Sequence, residues 1–303
     1  MKIGQIGIGE LGKAVASNML KAGHELTVHD LSKHTAGPIL EQGASWSDST
    51  GDLAAESEVM LTVLPTPAII EGVMGGANGV LEAMAPGSVW IEHSTNDSDV
   101  LQRLQSQAGQ RGIDIIEAPV TGGIPLAHEG SITVLAGAQT AVFEKYKHLL
   151  AIVGDPVLHI GPVGSASILK VITNMMALTH LWMMGESLML AKRAGIDVGA
   201  AYEAYKASCG NSFTLETEGP PILNGSYDYG FTLALANKDM RLVEAIAQEH
   251  GVPLEMGKVT FDLFQKAEEK YGPKFWSTGV VKLLEDQLST DLRSDGYEPE
   301  ARW

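Results

Sequence analysis

Lys170 and Asn174 stand one helical turn apart in "GSASILKVITNMMALTHLWMMG", Gly164 to Gly185, a stretch that is otherwise mostly apolar. Residues i and i+4 share a helix face, so the amine and the amide point the same way. A lysine near the start of a buried helix can snorkel its charge to water. A lysine facing a cleft is instead partly desolvated. Desolvation lowers its pKa and makes it a usable general acid/base.

A second set of residues could hold a phosphate. Gly7, Gly9 and Gly12 fall in G-x-G-x-x-G spacing. A short apolar run, Ile3 to Ile6, precedes them, and a helical pattern of Leu11, Val15, Met19 and Leu20 follows. A second strand-like run, "ELTVHD", ends on Asp30, 21 positions after Gly9. Strand, glycine loop, helix, strand and terminal acid make the dinucleotide-binding arrangement. Gly7 makes the tight turn, Gly9 admits the pyrophosphate, and Gly12 lets helix and strand pack closely. The loop Gly7, Ile8, Gly9, Glu10, Leu11, Gly12 opens a helix whose N-terminus favours phosphate. Asp30 accepts from a ribose 2′-hydroxyl and repels a 2′-phosphate, so NAD is expected and NADP disfavoured. Lys33 and His34 lie close enough to soften that preference.

The elements that must position these groups alternate through the first half of the chain. "EVMLTVLP", "SVWIEHST" and "GIDIIEAPV" read as further strands with helical patterns between them, which implies a parallel sheet covered on both faces. Ligands of such sheets sit at the carboxyl ends of the strands. That brings Leu64 and Pro65, Thr95, and Thr121, Gly122 and Gly123 to one crevice. His93 lies there too, but a lone histidine at a strand end is more often a packing residue than a proton carrier. From Gly164 onward helical patterns take over: Ser165 to Ala194, Val198 to Ser208, Leu233 to His250 and Leu254 to Tyr271. The expected fold is an α/β Rossmann-type domain over 1–162 and an all-helical domain over 163–290. A polar surface tail over 291–303 follows, and the site lies in the cleft between the domains.

The chain resembles the β-hydroxyacid dehydrogenase family, of the 3-hydroxyisobutyrate dehydrogenase and tartronate semialdehyde reductase type, related to 6-phosphogluconate dehydrogenase. Four ordered motifs carry the likeness: "GIGELG", "EAPVTGGIPLAHEGSITVLAGA", "GPVGSASILKVITNMM" and "ANKDM". Leu11 and Met175 stand where many members have methionine and asparagine, and Thr121 where serine is usual. The resemblance implies that Lys170 is the catalytic lysine and Asn174 its support. It implies that Thr121, Gly122 and Gly123 hold a substrate carboxylate. Lys238 and Asp239 border cofactor and substrate, and Phe231 lines the pocket. The implied activity is NAD-dependent hydride transfer on a small β-hydroxyacid or semialdehyde. The competing readings are an NADPH-preferring aldehyde or imine reductase, disfavoured by Asp30 and Lys170, and a non-catalytic dinucleotide-binding scaffold, which has no use for Lys170.

Bulk properties bound the rest. The chain has 303 residues, 45% of them hydrophobic, and a net charge of −16, which argues against nucleic acid and anionic membranes as partners. One cysteine, Cys209, excludes an internal disulfide and suits the cytoplasm. No metal-ligand cluster is evident. Met175, Met176, Leu178, Leu181, Trp182, Met183 and Met184 give one helix more apolar surface than a small helical domain covers, so a homodimer or homotetramer is expected.

Overall fold

Short runs of β-branched and aliphatic residues, each stopped by glycine, proline or a polar cluster, give nine strands among the described residues. They are β1 (Lys2–Ile6), β2 (Glu25–His29), β3 (Ser45–Trp46), β4 (Val59–Thr62), β5 (Val89–Glu92), β6 (Asp114–Glu117), β7 (Val120–Thr121), β8 (Thr133–Gly137) and β9 (Val157–Gly161). Helices α1 (Glu10–Lys21), α2 (Gly37–Glu41), α3 (Thr50–Ala55), α4 (Pro67–Gly75), α5 (Val80–Ala83), α6 (Ser98–Gln110), α7 (Ile124–Glu129) and α8 (Thr140–Val153) connect them. This computed structural model describes residues 1–297, and the chain divides into two units, Met1–Lys170 and Val171–Trp303.

In the first unit the strands form one sheet in the order β3-β2-β1-β4-β5-β6-β8-β7, with β9 beside β8. Alternation along the strands builds a core on each face. Val59, Leu61, Val89 and Ile91 point to one core, while Met60 and Trp90 point to the other. Neighbours two apart share a face, so each strand serves both layers of helices. Strands β1 to β6 are parallel, as expected. The sheet is not parallel throughout: β8 runs antiparallel to β6 and β7, and β9 parallel to β8. The link through α7 is too short for a crossover, so the chain turns back. The longer connection through α8 then restores a parallel pairing.

The second unit is helical. Helix α9 (Ser165–Arg193) carries the chain into it, followed by α10 (Val198–Lys206), α11 (Phe213–Leu223), α12 (Leu233–Glu249), α13 (Glu255–Tyr271), a 3₁₀ turn (Ser277–Val281) and α14 (Lys282–Leu288). Asp197, Ser212 and Thr232 cap α10, α11 and α12 with their side chains. Leu181, Leu188, Ile222, Leu233, Phe264 and Val280 make its core. Gly185 lets α9 meet the 3₁₀ turn, because a Cβ there would lie 2.7 Å from the Val281 side chain.

Two expectations fail here. The segment after α14 is not a surface arm as far as Tyr297. Leu292 is fully buried, Arg293 pairs with Glu285, and the Tyr297 ring meets Tyr202 edge-on. Polar composition concealed one apolar anchor and a buried acid for the arginine to reach. The last six positions of the expected tail, 298–303, lie outside the described residues. The apolar surface of α9 is also mostly covered by its own chain: Leu178, Leu181, Trp182 and Met184 are buried.

Candidate active site

The glycine loop joins β1 to α1. Gly7 has φ +94°, and a Cβ on it would lie 2.1 Å from the Val63 carbonyl oxygen. A Cβ on Gly12 would lie 2.2 Å from the Gly7 carbonyl oxygen, so only glycine lets α1 start this close to the strand. Gly9 differs, because a Cβ on it would meet nothing within 4 Å. It is the N-cap of α1 and gives no side-chain cap, which leaves first-turn N–H groups beside open space. That is what a pyrophosphate needs.

Asp30 follows β2. Its carboxylate accepts from the Ile8 N–H at 2.7 Å and the Ser32 N–H at 3.3 Å. The loop and the acid are thus tied together, and the residues present fit a dinucleotide. Of the expected cofactor contacts, Ile8 is wholly buried, and its N–H is the one that Asp30 accepts. Leu11 packs on the core, and Glu10 is exposed and paired with Lys13. The Leu64 N–H donates to Ser94 Oγ at 2.7 Å, which ties the ends of β4 and β5. Pro65 and Thr95 lie in the same loops. Lys33 lies over the Trp46 ring, 5.8 Å from its centre.

Thr121 ends β7. Gly122 and Gly123 follow with φ +135° and +93°, consecutive conformations that side chains resist. His93 is buried. Its Nδ1 lies 2.8 Å from the Ala118 carbonyl oxygen, and burial pushes its pKa down to about 4. It is a neutral packing residue at physiological pH.

Lys170 lies in the second turn of α9 and is 8% exposed. Its ammonium does not snorkel to a freely solvated face. In the helical unit Asn174 Nδ2 donates to Asp239 Oδ2 at 2.5 Å. Lys238 Nζ lies 2.9 Å from Asp239 Oδ1, an ion pair without hydrogen-bond alignment. Asn174, Lys238 and Asp239 therefore form one connected group. Phe231 packs at the edge of the helical core, and Thr232 next to it caps α12.

Residues 2–161 match the NAD binding domain of 6-phosphogluconate dehydrogenase, and residues 164–284 match the NAD-binding of NADP-dependent 3-hydroxyisobutyrate dehydrogenase. The chain belongs to the β-hydroxyacid dehydrogenase family. A 2-(hydroxymethyl)glutarate dehydrogenase of Eubacterium barkeri is 32% identical over 96% of this chain and 97% of its own. The mitochondrial 3-hydroxyisobutyrate dehydrogenase of Drosophila melanogaster is 30% identical over 95% and 90%. A solved 3-hydroxyisobutyrate dehydrogenase from Salmonella typhimurium superposes with a TM-score of 0.86 at 27% identity, covering 93% of this chain and 99% of that one. This β-hydroxyacid dehydrogenase is an NAD(P)-dependent oxidoreductase with a Rossmann-type domain that binds NAD. Among the described residues no helix is long and apolar enough to cross a membrane.

Three buried polar residues were missed by reading motifs alone. Gln5, fully buried, donates from Nε2 to the carbonyls of Gly7 and Gly12, at 3.2 and 2.7 Å, and braces the glycine loop from beneath. Glu92 and Glu117 are paired in register at the ends of β5 and β6, and both are fully buried. Burial pushes Glu92 up to about 7, against donors from Ser94 and Thr62. The available signal was an acid closing a strand at its carboxyl end, twice.

Proposed function

We propose that this dehydrogenase oxidises a small β-hydroxyacid of the 3-hydroxyisobutyrate kind, or reduces the matching semialdehyde, with NAD as the preferred partner and Lys170 as the proton carrier. The observation that carries the reading is the burial of Lys170 one turn before Asn174 on a continuous helix. Burying an amine costs stability unless the group is paired and hydrogen-bonded, so a lysine kept at this buried position is one the fold holds in place, as a proton carrier requires.

Gly7, Gly9, Gly12 and the start of α1 hold the phosphates, Asp30 holds the ribose, and Leu64, Pro65, Thr95 and Lys238 complete the cofactor contacts. The dinucleotide, when bound, supplies the hydride acceptor or donor. Lys170 in its neutral form takes the hydroxyl proton during oxidation, and as ammonium it returns a proton to the oxygen during reduction. Asn174, held through Asp239, orients the reacting oxygen or the amine. The Thr121 hydroxyl and the backbone N–H groups of Gly122 and Gly123 receive the substrate carboxylate, with Lys238 adding charge and Phe231 shaping the pocket. A sequence with one cysteine, Cys209, suits a reducing compartment such as the cytoplasm. Two or four copies assemble.

The test is turnover followed at 340 nm with 3-hydroxyisobutyrate, serine and 2-(hydroxymethyl)glutarate, with NAD and with NADP. Lys170→Ala should cut kcat about 10²–10⁴-fold while NAD affinity changes little. Lys170→Arg should not restore the rate, since a guanidinium does not release its proton near neutral pH. Near-normal turnover in Lys170→Arg refutes the mechanism.

A further inference from the structure

Helix α9 does not begin on its own terms. The side chain of Glu117, at the end of β6 and fully buried, reaches its first residues. Glu117 Oε1 accepts from the Gly164 N–H at 2.7 Å and the Ala166 N–H at 2.8 Å. Glu117 Oε2 accepts from the Ser167 N–H at 3.2 Å and from Ser167 Oγ at 2.6 Å. Every one of these partners donates, so both oxygens act as acceptors. Burial pushes the Glu117 carboxyl above the usual range, and the four donors pull against that.

The surroundings are cut to fit this carboxylate. Gly137 on β8 is the register partner of Glu117, and a Cβ there would lie 2.0 Å from Oε1. Gly164 has φ +103°, a backbone that favours glycine, and it is the first donor. The two motifs "EAPVTGG" and "GPVGSASILK" are thus one physical unit, joined by this residue.

We propose that Glu117 is a positioning residue for Lys170. It fixes the rotation and depth of the first turn of α9, and Lys170 follows Ser167 by three residues, about 4.5 Å along the axis. Placement errors near 1 Å cost on the order of 100-fold in rate. A small rotation at the helix start moves a lysine amine by that much. The proposal rests on the reading of Lys170 as the proton carrier.

The test is a set of single and double variants, assayed with 3-hydroxyisobutyrate and NAD, or with the best substrate of the panel above. Glu117→Gln keeps the size but turns an amide donor toward backbone donors. It should lower kcat about 10–100-fold, with KM and NADH affinity within about threefold. Ser167→Ala removes one of the four bonds and should lower kcat a few-fold without unfolding the protein. Gly137→Ala, which displaces the carboxylate while leaving it in the sequence, should behave like Glu117→Gln. In a Lys170→Ala background, Glu117→Gln should change the residual rate less than twofold, because it acts through the lysine.

Unchanged kcat in Glu117→Gln overturns the proposal, and so does an equal loss in the Lys170→Ala background. If Glu117→Gln does not fold, Ser167→Ala alone and in the Lys170→Ala background carries the same decision. Full turnover in Lys170→Ala instead refutes the proton-carrier reading, an outcome separate from the others.

Discussion

Charge placement decides two outcomes at the level of single residues. Asp30 holds the glycine loop through Ile8 and stands at the end of the second strand. On the proposed cofactor assignment, Asp30→Ala removes an acceptor for the ribose hydroxyl and the charge that repels a 2′-phosphate. Bonds to a charged group contribute roughly 1.5–3 kcal/mol, so NAD affinity should fall about 10–100-fold and the gap to NADP should narrow. Titration of NADH and NADPH by fluorescence checks this, and a wild type that prefers NADP tenfold refutes the assignment. Glu218 on α11 concerns stability. It is buried, its Oε2 has no hydrogen-bond partner, and burial pushes its carboxyl up to about 8. The folded state therefore holds this proton more tightly than the unfolded chain does. The contribution to stability is full below the ordinary carboxyl range and is lost as pH rises through about 8. Glu218→Gln should match the wild type in melting temperature near pH 5. By pH 9 it should be higher by several degrees, on the order of 1–3 kcal/mol. Equal pH dependence in the two proteins would show that Glu218 titrates normally.

Among the elements, the glycine loop separates folding from binding. Gly12→Ala puts a Cβ 2.2 Å from a backbone oxygen. Overpacking of this kind costs about 1–3 kcal/mol, so both melting temperature and NAD affinity should drop. Gly9→Ala meets empty space and has an ordinary backbone, φ −68°. It should melt like the wild type yet bind NAD at least tenfold more weakly. Calorimetry with and without NAD distinguishes the two, and equal melting losses would refute the division of labour. The elements legible in the sequence were those with strong periodicity or an endpoint signal. The α9, α10, α12 and α13 boundaries lie within two residues of their patterns. Helix α11 was not legible, because Pro220 and Pro221 lie inside it and read as a stop. The directions of strands β8 and β9 were hidden for a different reason. Their apolar runs are plain, but strand direction depends on the length of the connections, and periodicity does not encode that. At the site, Lys170 and the glycines were readable because their chemistry is local. Glu117 was not, because its four donors, on three residues, lie 47 to 50 positions away.

Assembly is a matter for the whole molecule, and the structure changes the ground on which it is expected. Most of the methionine-rich surface of α9 is buried within the chain, and this weakens an argument from total apolar content. What is left exposed has a pattern. Met176, Met183 and Leu190 are 53%, 46% and 73% exposed and recur every seven residues. Seven residues are nearly two helical turns, so the three lie in one stripe with steps of about 10.5 Å. Exposed His180 and Glu186 lie between them, so this is one apolar row, half of the a and d pattern by which two helices form a seam. The net charge of −16 opposes random association, so contact between copies needs a local apolar face to outweigh it. We expect the wild type to sediment as a dimer or tetramer at micromolar concentration. Met183→Glu/Leu190→Glu puts like charges along the seam, and the double variant should shift toward monomer. Its far-UV circular dichroism should be unchanged, since both side chains already face solvent within one copy. A wild type that is monomeric at that concentration would refute the assembly. A double variant that keeps its oligomeric state would instead move the interface to another face.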